Sequence, residues 1–478
     1  MSAVAVVFAP LLALVSLRLR TMKARAAELL VAVSVVEVAV AAWLAARGMT
    51  GPELGGFFLV DATARLFLAV VALVFLGVST YLFSRVRAEP RLRPQLGSYA
   101  TFALLFLVVC TLAVLAHHVV ALWGLLEAST FAAVPLITHG GRAAARRAAW
   151  RYFLFSCVGL SLALLGFVCI ARSMEASGVE HWTFFFDDLA TAAKQPPDVW
   201  RRVGLALALL GLGTKLGLAP MYSWLPETYA EAPPASTALL AAVQFNVALV
   251  GLLRVLAIFR STSEGLVSSE LLALGLATMA VSAFNVIAAR NYKKLIAYAA
   301  MNHGGVIAVG LGVGREAAYG VVLYAVSNAF IKAILFLTAG KIRSRYRTEE
   351  IAEVSGLVKD LPYSGLLFMV GTIALLGFPP FGSFLGELVV MSALVGGGYL
   401  VVFAAFCVVL TVSFVATGRA IFPMIWGTPK RDADWGGQSL PSMLPKLLLL
   451  AGLVAMGLYL PAPVNDLFRR VAEGLGGP

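Results

Sequence analysis

Residues 119–137 read VVALWGLLEASTFAAVPLI. At ~1.5 Å per residue, a helix of this run is about 28 Å long, close to the ~30 Å of a bilayer's hydrocarbon core. Its one charge is Glu127. An ionisable side chain at the centre of a membrane helix costs about 2.5–3.5 kcal/mol on insertion scales, and persists where it faces a protein interior or a wet cavity. Lys215 in 204–220 (GLALALLGLGTKLGLAP), Lys332 in 328–340 (NAFIKAILFLTAG) and Glu387 in 377–391 (GFPPFGSFLGELVVM) stand in the same situation. Together they read as a charge or proton pathway through a membrane.

Composition extends this to the whole chain. The 478 residues are 60% hydrophobic and 13% charged, against about a quarter charged in soluble domains. The chain is therefore expected to be an all-α, polytopic membrane protein. The net charge of +12 does not point to nucleic acid, because the arginines fall in short clusters between apolar runs. Cys110, Cys157, Cys169 and Cys407 lie inside apolar runs without metal-type spacing, and read as small buried hydrophobes. No iron–sulfur, haem or flavin motif is visible, so no cofactor and no metal site is expected in this chain. Neither is a nucleophile–base set, so no catalytic residue is assigned. The first segment resembles a signal peptide, but its charges follow the apolar stretch, and it is expected to be a retained span.

Fourteen apolar segments follow one another, near 3–17, 27–46, 57–84, 98–115, 117–138, 150–171, 203–220, 236–259, 266–289, 293–313, 317–340, 364–393, 398–422 and 443–461. Such runs are too long for barrel strands, and in lipid the backbone must satisfy itself within a helix. The odd-numbered connections carry the basic clusters, for example Arg85, Arg87, Arg91 and Arg93 between segments three and four. They should share the cytoplasmic side of a cell inner (plasma) membrane, with both termini outside. Loop 7–8 (226–234, PETYAEAPP) is acidic and breaks that pattern, as a segment folding back into the membrane would. The long 6–7 connection (175–202) reads as amphipathic, resting at the outer interface on its aromatics.

Two segments are interrupted. Segment seven runs GTKLGLAPMYSWLPE (213–227), with Pro220 and Pro226 beyond Lys215. Segment twelve runs LLGFPPFGSFLGE (375–387), with Pro379, Pro380 and Gly382 ahead of Glu387. Broken helices in corresponding positions point to inverted repeats and a midplane site. Segments 4–8 and 9–13 would be two inverted five-helix units. The expected divisions are 1–97 (helices 1–3), 98–260 (first repeat), 261–422 (second repeat) and 423–478 (helix 14 and tail).

At these motifs the chain resembles a known family. GTKLGLAPMYSWLPETYAEAPPASTALLAA (213–242) is similar to the signature block of the antiporter-like membrane subunits of complex I, membrane-bound hydrogenases and multisubunit Na⁺/H⁺ antiporters. NYKKLIAYAAMNHGG (291–305), SNAFIKAILFLTAGKI (327–342) and GFPPFGSFLGE (377–387) resemble three further blocks in the same order. WGLLEASTFAAVPL (123–136) looks most like the hydrogenase-4 type, and no counterpart of the long lateral helix of the largest complex I subunit is expected.

The resemblance implies proton translocation by a subunit without a redox centre, inside an oxidoreductase complex of the hydrogenase or NADH:quinone oxidoreductase class. Partners would be other membrane subunits and, through them, a peripheral iron–sulfur or nickel–iron module, with no nucleic acid. The alternatives are a Na⁺/H⁺ antiporter subunit and a structural membrane arm. Glu127 and Lys215 match the family's paired glutamate and lysine, Lys332 its lysine of segment eleven, and Glu387 the acidic variant of its residue in segment twelve. Lys294 and His303 fall in the second block and join the candidates. The chain departs from the pattern at Gln244 and Asn246, where many relatives carry a lysine or histidine. It departs again at Tyr222, Tyr229 and Asn328, which stand where relatives often show histidines. The central relay has fewer titratable groups, as in a water-bridged variant or a subunit with weakened pumping.

A proton relay needs groups whose proton affinity burial and neighbouring charge can drive across the working pH. Glu127 beside Lys215 would be such a coupled pair. Plainer readings exist for the remaining residues. Lys293 and Lys294 suit interfacial positive charge, and His117 and His118 a solvated boundary. Trp123 suits packing, and Arg151 a membrane-end anchor that also tunes Glu127. Asp61 and Arg65, one turn apart, suit a local pair.

Overall fold

The computed structural model describes residues 2–47, 51–176, 182–194, 197–429 and 440–475. Among them the chain is helical throughout, with isolated bridges such as His118–Phe185 and Asn291–Glu350 in place of strands. Parts of the 6–7 connection and of the C-terminal division, including Lys430 and Arg431, lie outside the described residues.

Ten helices among the described residues are long and apolar enough to cross a membrane. They become eleven if Met443–Leu458 and Ala462–Gly474, bent by 76°, count as one span. The protein is a multi-pass membrane protein. The division into fourteen segments is finer than that count. Segment one folds as the shorter helix Ser2–Ser16. Segment seven folds as Val199–Lys215 and Trp224–Glu231. Segment twelve folds as Pro362–Leu375 and Gly382–Gly396.

Burial sorts the helices into layers. Pro234–Phe259 and Arg315–Tyr346 are enclosed by the rest of the chain, whereas Leu400–Trp426 and Ala26–Arg47 lie mostly at the periphery. Glycines set the closest approaches. A Cβ on Gly204 would sit 2.7 Å from the Gly166 carbonyl oxygen, and one on Gly386 would sit 2.7 Å from that of Gly320. Ala143–Ala176 therefore meets Val199–Lys215 backbone to backbone, as Arg315–Tyr346 meets Gly382–Gly396.

The two breaks share one local form. Gly217 has φ +73° and Gly377 φ +71°, each followed three residues on by a cis proline, Pro220 and Pro380. The left-handed φ ends the first half-helix at a residue without a Cβ. Side chains then take up freed backbone groups. Trp224 Nε1 donates to the Thr214 carbonyl at 2.9 Å, and the Ala219 N–H donates to Thr278 Oγ1 at 2.8 Å. In the second break Ser383 Oγ donates to the Ala374 carbonyl at 2.9 Å, and His303 Nε2 lies 3.0 Å from that of Leu375. This satisfies the demand that a broken helix places on a membrane interior.

Several local expectations are corrected. The stretch 226–234, expected to fold back and not to be an ordinary loop, is mostly the second half-helix of the broken segment, Trp224–Glu231. Glu227 and Glu231 on that helix pair with Arg151 of Ala143–Ala176 and with Arg142 just ahead of it, the second pair at 3.3 Å. Arg151 is thus occupied by Glu227. Asp61 and Arg65 are not a pair. Asp61 caps Ala62–Ala88 through the Ala64 N–H and binds Arg254 at 3.1 Å, while Arg65 donates to the Ala45 carbonyl. His117 is not solvated but buried, with Nε2 3.1 Å from Asp187. His118 caps Val119–Thr138 by accepting from the Ala121 N–H. In the 6–7 connection Phe185 packs edge-on to both His118 and Phe57, whereas Trp200 stays exposed.

Candidate functional site

The polar groups around the two breaks fall into a central chain and one chamber. Lys215 ends its half-helix, Lys332 lies mid-way along Arg315–Tyr346, and Glu387 lies in the second turn of the second half-helix of segment twelve. They are 2%, 1% and 6% exposed, and His303 is 4% exposed. Each cluster of polar side chains is held by the breaks or by the enclosed helices, so the apolar periphery shields it from lipid.

The first cluster surrounds Lys215. Its ammonium donates to Thr130 Oγ1 at 2.6 Å and to the Tyr152 hydroxyl at 3.3 Å. The Gln244 amide donates to the same hydroxyl at 2.6 Å and to Ser129 Oγ at 3.2 Å. Tyr152 thus joins Lys215 to Gln244, and the position that looked like a gap is occupied by a neutral hydrogen-bonding link. Gln244 is the last residue of a wide π-helical turn, Leu239–Gln244. Such turns recur at functional sites because the extra residue re-aims the side chains around it. Asn246, two residues on, donates to its own helix at the Ala242 carbonyl and is not part of this link.

Glu127 does not touch Lys215. Thr130, one turn further along the same helix, takes the lysine's hydrogen bond instead. Glu127 is half-buried, with its Oε2 enclosed and without a hydrogen-bond partner. The expected ion pair is therefore open. Trp123 donates its indole N–H to the Leu160 carbonyl at 2.9 Å and ties the neighbouring helix to this one.

The second cluster begins one residue after Gln244. The Phe245 ring centroid lies 3.8 Å from the Lys332 ammonium, a cation–π contact inside the protein. Beyond it, the His303 ring is edge-on to Tyr324, 5.5 Å between centroids. A carbonyl can only accept, so the contact with Leu375 requires Nε2 to carry a proton, while Nδ1 is enclosed without a hydrogen-bond partner. Glu387, His303, Asn302, Tyr324, Ser413 and Thr417 surround a cavity of about 20 Å³. That is room for one water molecule. Glu387 Oε1 has no protein partner, and a water there would have acceptors and donors on several sides.

Lys294 and Lys293 exchange roles relative to the sequence reading. Lys294 is half-buried, its backbone N–H received by Asn291 Oδ1 at 3.1 Å. Lys293 is the buried one. Its ammonium donates to the Ala230 and Ala232 carbonyls, the latter at 3.1 Å, and lies 3.5 Å from Glu349. It closes the C-terminal end of the half-helix Trp224–Glu231, where carbonyls lack intrahelical partners.

Sequence reasoning passed over Tyr152, Glu37 and Lys446. A tyrosine in an apolar run carries no signal of its own. Glu37 and Lys446 are both buried, and Glu37 Oε1 has no partner. Glu37 sits in an apolar run as Glu127 does, and the same criterion identifies it.

With this geometry in place, comparison with known proteins is informative. The family described as NADH:quinone oxidoreductase/Mrp antiporter, TM, matches residues 116–413, more than half of the chain. That span runs from the start of Val119–Thr138 into Leu400–Trp426 and includes both breaks. A "Hydrogenase-4 component F homolog" of Methylacidiphilum infernorum is 29% identical over 428 residues, covering 87% of this chain and 88% of the relative. Among solved structures, a chain of the membrane-bound sulfane sulfur reductase, an archaeal respiratory membrane complex, superposes with TM-score 0.87 at 23% identity, over 99% of this chain and 98% of that one. A chain of the Mrp complex from Dietzia sp. DQ12-45-1b gives TM-score 0.86 at 20% identity, over 99% and 97%. At these identities the structural matches speak for the fold, while the family match rests on sequence. This chain belongs to the NADH:quinone oxidoreductase/Mrp antiporter transmembrane family.

Proposed function

We propose that this protein is a proton-translocating, antiporter-like membrane subunit of a redox-driven complex, of the hydrogenase type. The observation that carries the reading is the hydrogen-bonded chain Lys215–Tyr152–Gln244, buried beside a broken helix. A static core has little use for a lysine ammonium among uncharged partners, because burying a charge without a counter-ion is costly. A relay needs that arrangement, since the lysine must release its proton.

Lys215 holds the proton while the charge of Glu127 acts on it; it passes to the Tyr152 oxygen, and the hydroxyl's own proton can move on only when the Gln244 amide turns its unpartnered Oε1 towards Tyr152 to accept it. The Phe245 ring holds the Lys332 ammonium but carries no proton, so water must bridge this step to Lys332, and His303 and Glu387 pass the proton out through a water in the 20 Å³ cavity. Lys294 stands at the entrance of the helix bearing His303. No redox cofactor belongs to this chain in the proposal. The redox chemistry lies in a peripheral iron–sulfur or nickel–iron module, reached through other membrane subunits. The matched breaks and the paired glycine contacts of segments 6–7 and 11–12 support two inverted repeats, 98–260 and 261–422. The basic odd-numbered connections support a plasma-membrane location with both termini outside.

The test is Lys215→Met in the intact complex, reconstituted into vesicles. Assembly and electron transfer should persist while proton uptake is lost, and unchanged pumping would sink the relay. A second reading, a subunit of a multisubunit Na⁺/H⁺ antiporter, is favoured by the close superposition on a chain of an Mrp complex. Affinity purification separates the two readings. Co-isolation of an iron–sulfur protein supports the first, and small hydrophobic partners alone support the second.

A further inference from the structure

A cavity of about 290 Å³ opens among the basic connections, away from the buried chain of polar groups. Arg85, Gln95, His139, Arg142 and Arg343 form its polar side. No carboxylate lines it. Leu82, Val86, Leu92 and Leu96 form an aliphatic wall along one flank.

The charges around it do not cancel. Arg142 pairs with Glu231 at 3.3 Å. Arg343 and Lys293 share the single carboxylate of Glu349, at 3.2 and 3.5 Å. Arg85, in the last turn of Ala62–Ala88, is exposed and has no side-chain ion pair among the described residues. Three arginines, Arg85, Arg142 and Arg343, thus line the cavity, while the two carboxylates that answer them, Glu231 and Glu349, lie outside its lining and leave Arg85 over. A second feature points the same way. Pro234 and Ala235, the first residues of the enclosed helix Pro234–Phe259, line the cavity, so that helix directs its N-terminal end into it. Helix N-termini favour anions.

We propose that this cavity binds a phosphate-bearing anion, in the membrane the headgroup of an anionic phospholipid whose chains lie against Leu82, Val86, Leu92 and Leu96. Arginine pairs with phosphate in a planar fork, and basic pockets between membrane helices receive lipid headgroups. The aliphatic wall favours a lipid over free phosphate, which has nothing to place there. Burial and the Arg85 charge hold the His139 imidazole below its usual pKa. A bound phosphate would offset that charge. The proposal is independent of proton translocation and survives its failure.

The test uses the full chain in detergent, exchanged with phosphatidylglycerol or with phosphatidylcholine of the same acyl chains, and native mass spectrometry of the retained lipid. The wild type should keep one phosphatidylglycerol with a preference of about fivefold or more. Arg85→Gln, at an exposed and unpaired position, should abolish that preference, and so should Leu92→Glu. Displacement of phosphatidylglycerol by millimolar inorganic phosphate keeps the anion site and assigns it to a free anion. Equal retention of the two lipids by the wild type overturns the proposal, as does a preference unchanged in both variants.

Discussion

Gln244 and Phe245 are neighbours in the chain yet serve different cations. The Gln244 amide is hydrogen-bonded at 2.6 Å to the tyrosine that receives Lys215, and the Phe245 ring lies 3.8 Å from the Lys332 ammonium. The two central lysines are thus connected through two consecutive residues of one helix. A proton moving between them must pass an amide and then an aromatic face. The aromatic face is the step without a hydrogen bond.

Tyr152→Phe tests the link directly. It removes the hydroxyl shared by Lys215 and Gln244. Leaving buried polar groups short of a partner costs about 1–3 kcal/mol, so the variant should unfold at lower temperature in detergent. Proton flux in reconstituted vesicles should fall at least severalfold while the complex still assembles. Wild-type flux would show that Tyr152 only packs.

Phe245→Leu removes the ring from Lys332. A desolvated cation–π contact is worth about 2 kcal/mol. Stability should drop by that order, and proton flux should change without loss of Lys215-dependent steps. Phe245→Tyr, which keeps the ring and adds a hydroxyl, should preserve stability. The measurement is thermal unfolding beside vesicle acidification.

Gly377→Ala addresses the second break. A Cβ there would stand 2.5 Å from Glu387 Oε2, at a φ of +71°. The substitution should cost about 1–2 kcal/mol in backbone strain alone and displace the carboxylate from the single-water cavity. Pumping should fall about as far as in Glu387→Gln. Equal pumping in Gly377→Ala and wild type would remove Glu387 from the exit route.

Asp61→Ala removes both a helix cap and the partner of Arg254, whose side chain is 7% exposed. The cap is worth about 1 kcal/mol, and an uncompensated buried cation adds to it. Asp61→Asn keeps a capping oxygen and should cost less. Denaturation midpoints of the two variants decide this order.

At His139, burial first and the Arg85 charge second place the folded-state pKa below the usual ~6.5. The unfolded chain therefore binds this proton more readily. Its contribution to stability is present above the unfolded value and is lost as pH falls through it towards the folded value. Arg85→Gln should raise the folded pKa, as read from imidazole NMR shifts, and flatten the acid side of the unfolding profile.

Much of this molecule is legible in the one-dimensional chain because membrane helices announce themselves by length and apolarity. Proline and glycine marked both breaks, and Lys215, Lys332 and Glu387 stood out as charges in apolar runs. What stayed hidden depends on distance in space. Nothing in a lone tyrosine reveals that Tyr152 receives Lys215 and Gln244 together. Asp61 next to Arg65 suggested a local pair, because the competing partner, Arg254, is remote in the chain. His117 looked solvated because Asp187, its partner, lies in a different connection. Lys293 and Lys294 differ only in helical phase, and phase decides which of the two is buried.

The wide turn at Leu239–Gln244 adds one residue to the helical winding ahead of Phe245 and Arg254. An α-helix rotates by about 100° per residue. Deleting a single residue from that turn would swing every later side chain of the span by that angle. Phe245 would leave Lys332, and Arg254 would leave Asp61 near the other end of the span. The turn thus acts as a phase setter, committing a mid-membrane contact and a boundary ion pair to one and the same backbone choice.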